Sequence, residues 1–213
     1  MKYVIDSAMN VRIFVEGDAD VKFIKDVVGY FYGKQLNNND LNSTGGWDKI
    51  KSQKNEGELI RNKLLENADG KNLIIFDADN DYKTRKIEIE KWRDVYKLDF
   101  ELFLFPNDKD NGELEDLLEK IIIPENKPIF DCWVEYEKCL GTFSAKRIQP
   151  LTIPAKKSKI YSYVETLVGS SNSEKEKIKD RNRDFSNEEH WALNSKDLNP
   201  IKMFLDKYLK DIQ

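Results

Sequence analysis

Histidine is almost missing from this chain of 213 residues: His190 stands alone, and cysteine is hardly better represented, by Cys132 and Cys139. His-rich zinc sites and Ser-His or Cys-His nucleophile systems need an imidazole in a defined place. His190 lies in Glu188-Glu189-His190-Trp191, a polar stretch beside an aromatic anchor, and no catalytic role falls to it. Chemistry is thereby left to carboxylates and the cations they hold. The sequence shows no signal peptide and no apolar run long enough to span a membrane, so with so few cysteines a reduced, cytoplasmic setting without membrane contact is expected. Charge of one sign is lacking too. Lys and Arg number 35 against 39 Asp and Glu, a formal net charge of -4, so no global field recruits nucleic acid and any phosphate contact must be local.

Apolar residues make up 39%, enough for a packed interior in one generous domain or in a core with an extension. The most telling stretch is Leu73-Ile74-Ile75-Phe76-Asp77-Ala78-Asp79-Asn80-Asp81. Its continuous apolar start, after Asp69-Gly70-Lys71-Asn72, suits a central strand covered on both faces. Side chains at i and i+2 of a strand point the same way, so Asp77 and Asp79 are expected to converge where the strand ends. Two such carboxylates repel unless a cation neutralises them, and their hard oxygens suit Mg²⁺ or Mn²⁺.

Upstream, Val11 to Val15 predicts a first strand, and Glu16-Gly17-Asp18-Ala19-Asp20 a turn into a helix with Val21, Ile24, Val27, Val28 and Phe31 as its apolar stripe. A short second strand fits around Leu41, and Gly45-Gly46-Trp47 reads as a tight turn before another helical stretch. A helix from Glu58 to Asn67 follows, with Leu59, Ile60, Leu64 and Leu65 assigned to its apolar side. After the Leu73 strand come a charged helix around Lys86 to Val95, a strand over Phe100 to Phe105 ended by Pro106, and a loop opening the helix Glu113 to Ile122. Such alternation predicts an α/β fold with a mostly parallel sheet, whose ligands gather at the carboxyl ends of the strands. Glu16, the Asp77 cluster and the Asn107 to Glu115 region all fall there. Beyond Pro124 the pattern turns helical, with Ile160, Tyr163, Val164 and Leu167 on one face and Met203, Phe204 and Leu205 near the end. Ser170 to Arg183 reads as a mobile loop or solvated helix. The expected organisation is a metal-binding core over residues 1–125 and a helical extension over 126–213 packed on it.

The order strand-Glu16-Gly17-x-x-Asp20, then a strand-borne Asp77-x-Asp79, resembles the TOPRIM domain of topoisomerases, bacterial primases and the nucleases of the overcoming-lysogenization-defect family. The likeness covers about residues 11 to 123. It implies a TOPRIM-like four-stranded sheet flanked by helices, in which Glu16, Asp77 and Asp79 coordinate Mg²⁺ for phosphoryl transfer. The nuclease branch carries a further acidic residue four positions after the first glutamate and a glutamate on a later helix. Asp20 and the Gly112-Glu113-Leu114-Glu115 segment are similar, which implies one or two ions held by Glu16, Asp20, Asp77, Asp79, Asp81, Glu113 and Glu115. Lys156-Lys157-Ser158-Lys159 stands at about the distance at which that branch places a functional lysine, with Lys157 taken as the group that would neutralise a scissile phosphate. Phe105-Pro106-Asn107 through Leu118 also looks like a TOPRIM-like family of unknown function. No tyrosine has the context of a topoisomerase nucleophile and there is no room for a primase apparatus. A metal-dependent nuclease acting on nucleic acid, DNA ahead of RNA, is what the likeness implies, with an ATPase as partner in phage defence.

Other readings stay open at this level. An Asp-x-Asp after a strand also occurs in haloacid-dehalogenase phosphatases and nucleotide-sugar glycosyltransferases, although here a whole strand-helix unit precedes it and Asp81 follows. Asp77, Asp79, Asp81 and Glu88 match an EF-hand calcium loop in spacing, but Tyr82 stands where the sharp turn needs glycine. Glu113, Glu115 and Asp116 would each favour the amino end of their helix by roughly 0.3–1 kcal/mol without any metal. The lysine run has a solvated reading, and Lys83, Arg85 and Lys86 could guide a phosphate backbone. The competing class is a non-catalytic or partner-activated module.

Overall fold

The computed structural model describes residues 11–52, 55–67, 69–143, 151–169 and 171–210. The outer ends of the two expected units, residues 1–10 and 211–213, and Ser170 lie outside these. The first part runs β1 (Val11–Val15), α1 (Asp18–Tyr32), β2 (Leu41–Ser43), α2 (Trp47–Ile50), α3 (Asn55–Leu65), β3 (Lys71–Asp77), α4 (Tyr82–Tyr96), β4 (Glu101–Phe105) and α5 (Leu114–Lys120). The remainder is helical: α6 (Lys127–Thr142), α7 (Lys156–Val168), α8 (Asn172–Ile178) and α9 (Asn199–Leu209), with short 3-10 turns between. No helix among the described residues is long and apolar enough to cross a membrane.

The four strands form one sheet in the order β2-β1-β3-β4, and every pairing is parallel. Its two central strands are apolar on both faces because both faces are covered. Alternate residues go to opposite layers. Val11, Ile13, Val15, Leu73, Ile75, Phe103 and Phe105 join the core under α1, α5, α7 and α9. Phe14, Ile74, Phe76 and Leu104 join a second core with Trp47, Ile50, Ile60, Leu64, Ile89 and Trp92 from α2, α3 and α4. From β1 the chain moves outward to β2, and from β3 it moves outward the other way to β4. The crevice between the carboxyl ends of β1 and β3 is therefore the switch point at which parallel sheets bind ligands.

The helical extension shares the first core. Ile160, Tyr163, Val164, Trp191, Ile201 and Leu205 belong to the same apolar cluster as β1 and β3. Trp191 is wholly buried and lies 5.3 Å from the Tyr163 ring and 5.6 Å from that of Phe185. Its indole N–H donates to Asp184 O at 3.1 Å, while the neighbouring backbone pairs with the end of α5 through Ala192 N to Ile121 O at 2.6 Å. One expectation needs correcting. Leu59 and Leu65 are more than half exposed, because α3 leans on the body through a narrower stripe of Ile60 and Leu64; Met203 of α9 is exposed as well, beside the buried Ile201, Phe204 and Leu205. The stretch after Ser170 contains a solvated helix, α8, capped by Ser171, whose side chain accepts from Glu174 N at 3.3 Å. That stretch is not wholly solvated: Ile178 and Arg183 are buried at its end.

Because Trp191 is wholly buried in the core that the extension shares with the sheet, Trp191→Ala should cost about 3–5 kcal/mol, whereas Met203→Ala should stay within about 0.5 kcal/mol. Urea unfolding of both variants checks this. A cost below about 1 kcal/mol for Trp191→Ala would mean that the extension does not unfold together with the sheet.

Candidate functional site

The end of β1 is fastened before its acidic residue appears. Val15 O accepts from both the N–H and the hydroxyl of Thr44 at 2.9 Å, and Glu16 O accepts from Gly45 N at 2.9 Å. Gly46, with φ +100°, lets this loop pass close to the carboxylate, since a Cβ there would lie 3.4 Å from Glu16 Oε2. The other oxygen of Glu16 accepts from Asp77 N at 3.3 Å. Asp77 Oδ1 in turn accepts from Leu114 N at 2.9 Å, and Asp20 Oδ2 from Gly17 N at 2.8 Å. Glu115, one residue further along α5, is buried. Segments distant in sequence are thus joined at the switch point, with Glu16, Asp77 and Asp20 each accepting from a backbone N–H.

Clustering these acids away from water makes their ionisation costly. Burial, opposed by the Asp77 N–H and increased by the charge of Asp20, raises Glu16 to about 7. Asp20 is raised to about 6 by burial, with Glu115 adding to the effect and the Gly17 N–H and Lys157 opposing it. Asp77 is pushed well above its ordinary range by burial and then by Asp20, Glu16 and Glu115. Glu115 is raised as well, again by burial first. Of the lysines that begin α7, Lys156 pairs with Asp116 at 2.7 Å and Lys159 with Glu119 at 2.9 Å. Lys157 takes no such partner among the described residues. Burial lowers its affinity for a proton, but Glu115, Asp20, Asp180 and Asp77 outweigh that and hold its pKa above the usual lysine value.

The remaining expected ligands are placed differently. β3 ends at Asp77, and Asp79 adopts φ +52°, so the two-residue alternation that would align it with Asp77 no longer applies. Asp79 exchanges backbone hydrogen bonds with Gly112, at 2.9 and 2.7 Å, and its carboxylate is ion-paired with Arg85. Asp81 caps α4, accepting from Thr84 N at 3.1 Å and Thr84 Oγ1 at 2.7 Å, which holds its carboxyl below the usual range. Glu113 is the N-cap residue of α5, its N–H donating to Asp116 Oδ2 at 2.7 Å. Gly112 before it has φ +140°, and a Cβ there would strike that same oxygen at 2.5 Å. Glu88, the last place of the calcium-loop pattern, accepts instead from the Trp47 indole at 3.1 Å.

Two residues near the site carried no clear signal in the sequence. Arg183 is 2% exposed, donates to Ile178 O at 3.2 Å and Asp180 Oδ1 at 3.0 Å, and adds positive charge near Glu115. Nothing in its polar surroundings marks it as buried. Asn111 stitches two loops, donating to Asn80 O at 2.7 Å and accepting from Tyr82 N at 2.8 Å. A polar loop residue of this kind is visible only once the loops meet.

The donor set fits a hard divalent cation: Glu16, Asp20, Asp77 and Glu115 offer anionic oxygens, whose proton affinities are raised first by burial and then by neighbouring carboxylates. As placed, no group of three or more His, Cys, Asp or Glu among the described residues is arranged to hold an ion. An ion held here would need these side chains to rotate within the backbone frame. A family model described as a protein of unknown function, DUF3226, matches residues 10–210. No curated protein and no solved structure matches the chain.

Glu16 binds a proton more tightly folded than unfolded, so its contribution to stability is present at low pH and is lost as pH rises from about 4.5 to about 7. Without divalent ions, Glu16→Gln should raise stability at pH 8 by about 2–3 kcal/mol, roughly 4–10 °C in Tm, and by about a quarter of that at pH 5. Thermal melts followed by circular dichroism in EDTA check the difference. An equal gain at both pH values, or none, would remove Glu16 from the strained cluster.

Proposed function

The chain belongs to the DUF3226 family, and we propose that it is a Mg²⁺- or Mn²⁺-dependent nuclease of the TOPRIM kind that hydrolyses phosphodiester bonds, DNA ahead of RNA. The observation that carries this reading is the convergence of Glu16, Asp20, Asp77 and Glu115 at the switch point, with proton affinities raised by burial and mutual repulsion. Glu16 and Asp77 would hold the ion, with Asp20 and Glu115 completing its shell. Bound there, a divalent ion supplies Lewis-acid polarisation of a phosphoryl oxygen and a water of lowered pKa.

The protein's own groups do the rest. The Asp77 and Leu114 N–H groups hold one oxygen each of Glu16 and Asp77, which keeps the two carboxylates at the strand ends while their side chains adjust to an ion. Lys157, on the exposed rim and drawn towards Glu115, Asp20 and Asp77, offers positive charge to a phosphate group. Phosphate contacts of that kind raise affinity without reading sequence.

A second reading, a module activated by a partner such as an ATPase, draws on a specific observation: Asp79 is engaged by Arg85 and the carboxylates are not yet arranged around an ion.

The deciding experiment is cleavage of supercoiled plasmid, single-stranded DNA and RNA with Mg²⁺ or Mn²⁺ by wild type, Glu16→Ala and Asp77→Ala. The expected result is cleavage by wild type and a loss of at least ~100-fold in both folded variants. Activity surviving both substitutions rejects the site. An inert wild type favours the partner-activated module.

A further inference from the structure

α6 carries more apolar side chains than the body of the protein covers. Of its 16 residues only Phe130 is buried, its ring 5.1 Å from that of Tyr163 on α7. Ile129, Trp133, Tyr136, Leu140 and Phe143 follow one another at spacings of four, three, four and three, which sets them along one face of the helix and its C-cap. Among the described residues Trp133, Tyr136, Leu140 and Phe143 join neither apolar core, and Tyr136 and Phe143 are 47% and 59% exposed. Trp133 and Tyr136 meet edge to face, ring centres 5.4 Å apart, on the wall of an apolar groove of about 500 Å³ whose other wall includes Ser162 and Thr166 of α7. A continuous row of rings facing water is the mark of an interaction surface.

We propose that this face of α6 pairs with α6 of a second copy of the chain, giving a reversible two-fold dimer. The proposal stands apart from the reading of the carboxylates as a metal site. Spacing that alternates four and three is the repeat by which two helices interlock their side chains. Run antiparallel about a two-fold axis, the row matches itself: Trp133 meets Tyr136 of the second copy, Ile129 meets its Leu140, and both layers recur across the axis. Charge favours a copy over an acidic or basic partner. Lys127 pairs with Asp131 at 3.4 Å and Lys138 with Glu135 at 2.6 Å, while Glu137 accepts from the Trp133 indole at 2.8 Å, so every charged residue of α6 is engaged within α6. An oppositely charged partner finds nothing there to address. Cys132 and Cys139, exposed and seven residues apart, flank the row without charge, so two copies approach without like-charge repulsion. Pairing would cover roughly 400–500 Å² on each copy, a total near the ~1,000 Å² at which specific interfaces begin, and that size fits a dimer that dissociates on dilution.

The test is sedimentation velocity of the full chain, with thiols kept reduced and EDTA present so that neither a disulfide nor a metal ion joins copies. Wild type should move from the 25.0 kDa monomer towards twice that mass as its concentration rises from about 1 to about 200 µM. Tyr136→Glu and Trp133→Glu should each weaken the dimer at least ~30-fold, and Glu135→Gln, on the outer face of α6, should dimerise like wild type. Thermal melts followed by circular dichroism identify a variant that has failed to fold, and Tyr136→Glu, at an exposed position, keeps the test open should Trp133→Glu be one. Wild type that stays monomeric throughout would overturn the proposal, even if another protein were found on this face. A dimer that survives Tyr136→Glu unweakened would overturn it as well, by placing the contact elsewhere.

Discussion

The hydrogen bond from Asp77 N–H to the carboxylate of Glu16 joins the two central strands at the point where their ladder stops. Much of the surrounding structure compensates for what that bond demands, namely the burial of like charges beside one another. Backbone donors from Gly17 and Leu114 offset part of the cost, and Lys157 at the rim offsets more. What is left over is the raised proton affinity of the cluster. The apolar layers on both faces supply the free energy that makes such a concentration of acids tolerable in a folded chain.

Legibility in the sequence followed burial. β1, β3 and β4 were readable because strands covered on both faces are dominated by apolar residues, and α1 because its buried residues keep three- and four-residue spacing. β2 was barely readable: Leu41-Asn42-Ser43 has one buried residue and pairs with β1 alone. The acids attached directly to strands, Glu16 and Asp77, come together as their positions suggested. Those in loops obey local geometry instead. Asp79 follows a left-handed backbone, Asp81 follows the start of a helix, and Glu113 follows the cap of another. Alternation along a strand says nothing about a residue that has left the strand.

The extension shows the converse effect, a charged residue drawn inside by apolar neighbours. Arg183 lies between Ile178 and Phe185, and its guanidinium is 5.7 Å from the Phe185 ring. The segment that carries it also rests on α1, where Phe185 N donates to Asp26 Oδ2 at 2.8 Å. Helices distant in sequence thereby set the electrostatic surroundings of Glu115, and the extension belongs to the site as well as to the core.

The loop after β4 has an effect on the outside of the molecule as well. β4 is an edge strand, and such an edge would normally offer free backbone groups to a strand from another copy. Leu104 is sealed by its own chain: its N–H donates to Asp108 Oδ1 at 3.3 Å, and its carbonyl accepts from Asp108 N at 2.7 Å. The opposite edge, β2, is three residues long and gives little to pair with. The polar loop that places α5 beside the carboxylates thus also occupies the backbone groups of Leu104 that an added strand would use.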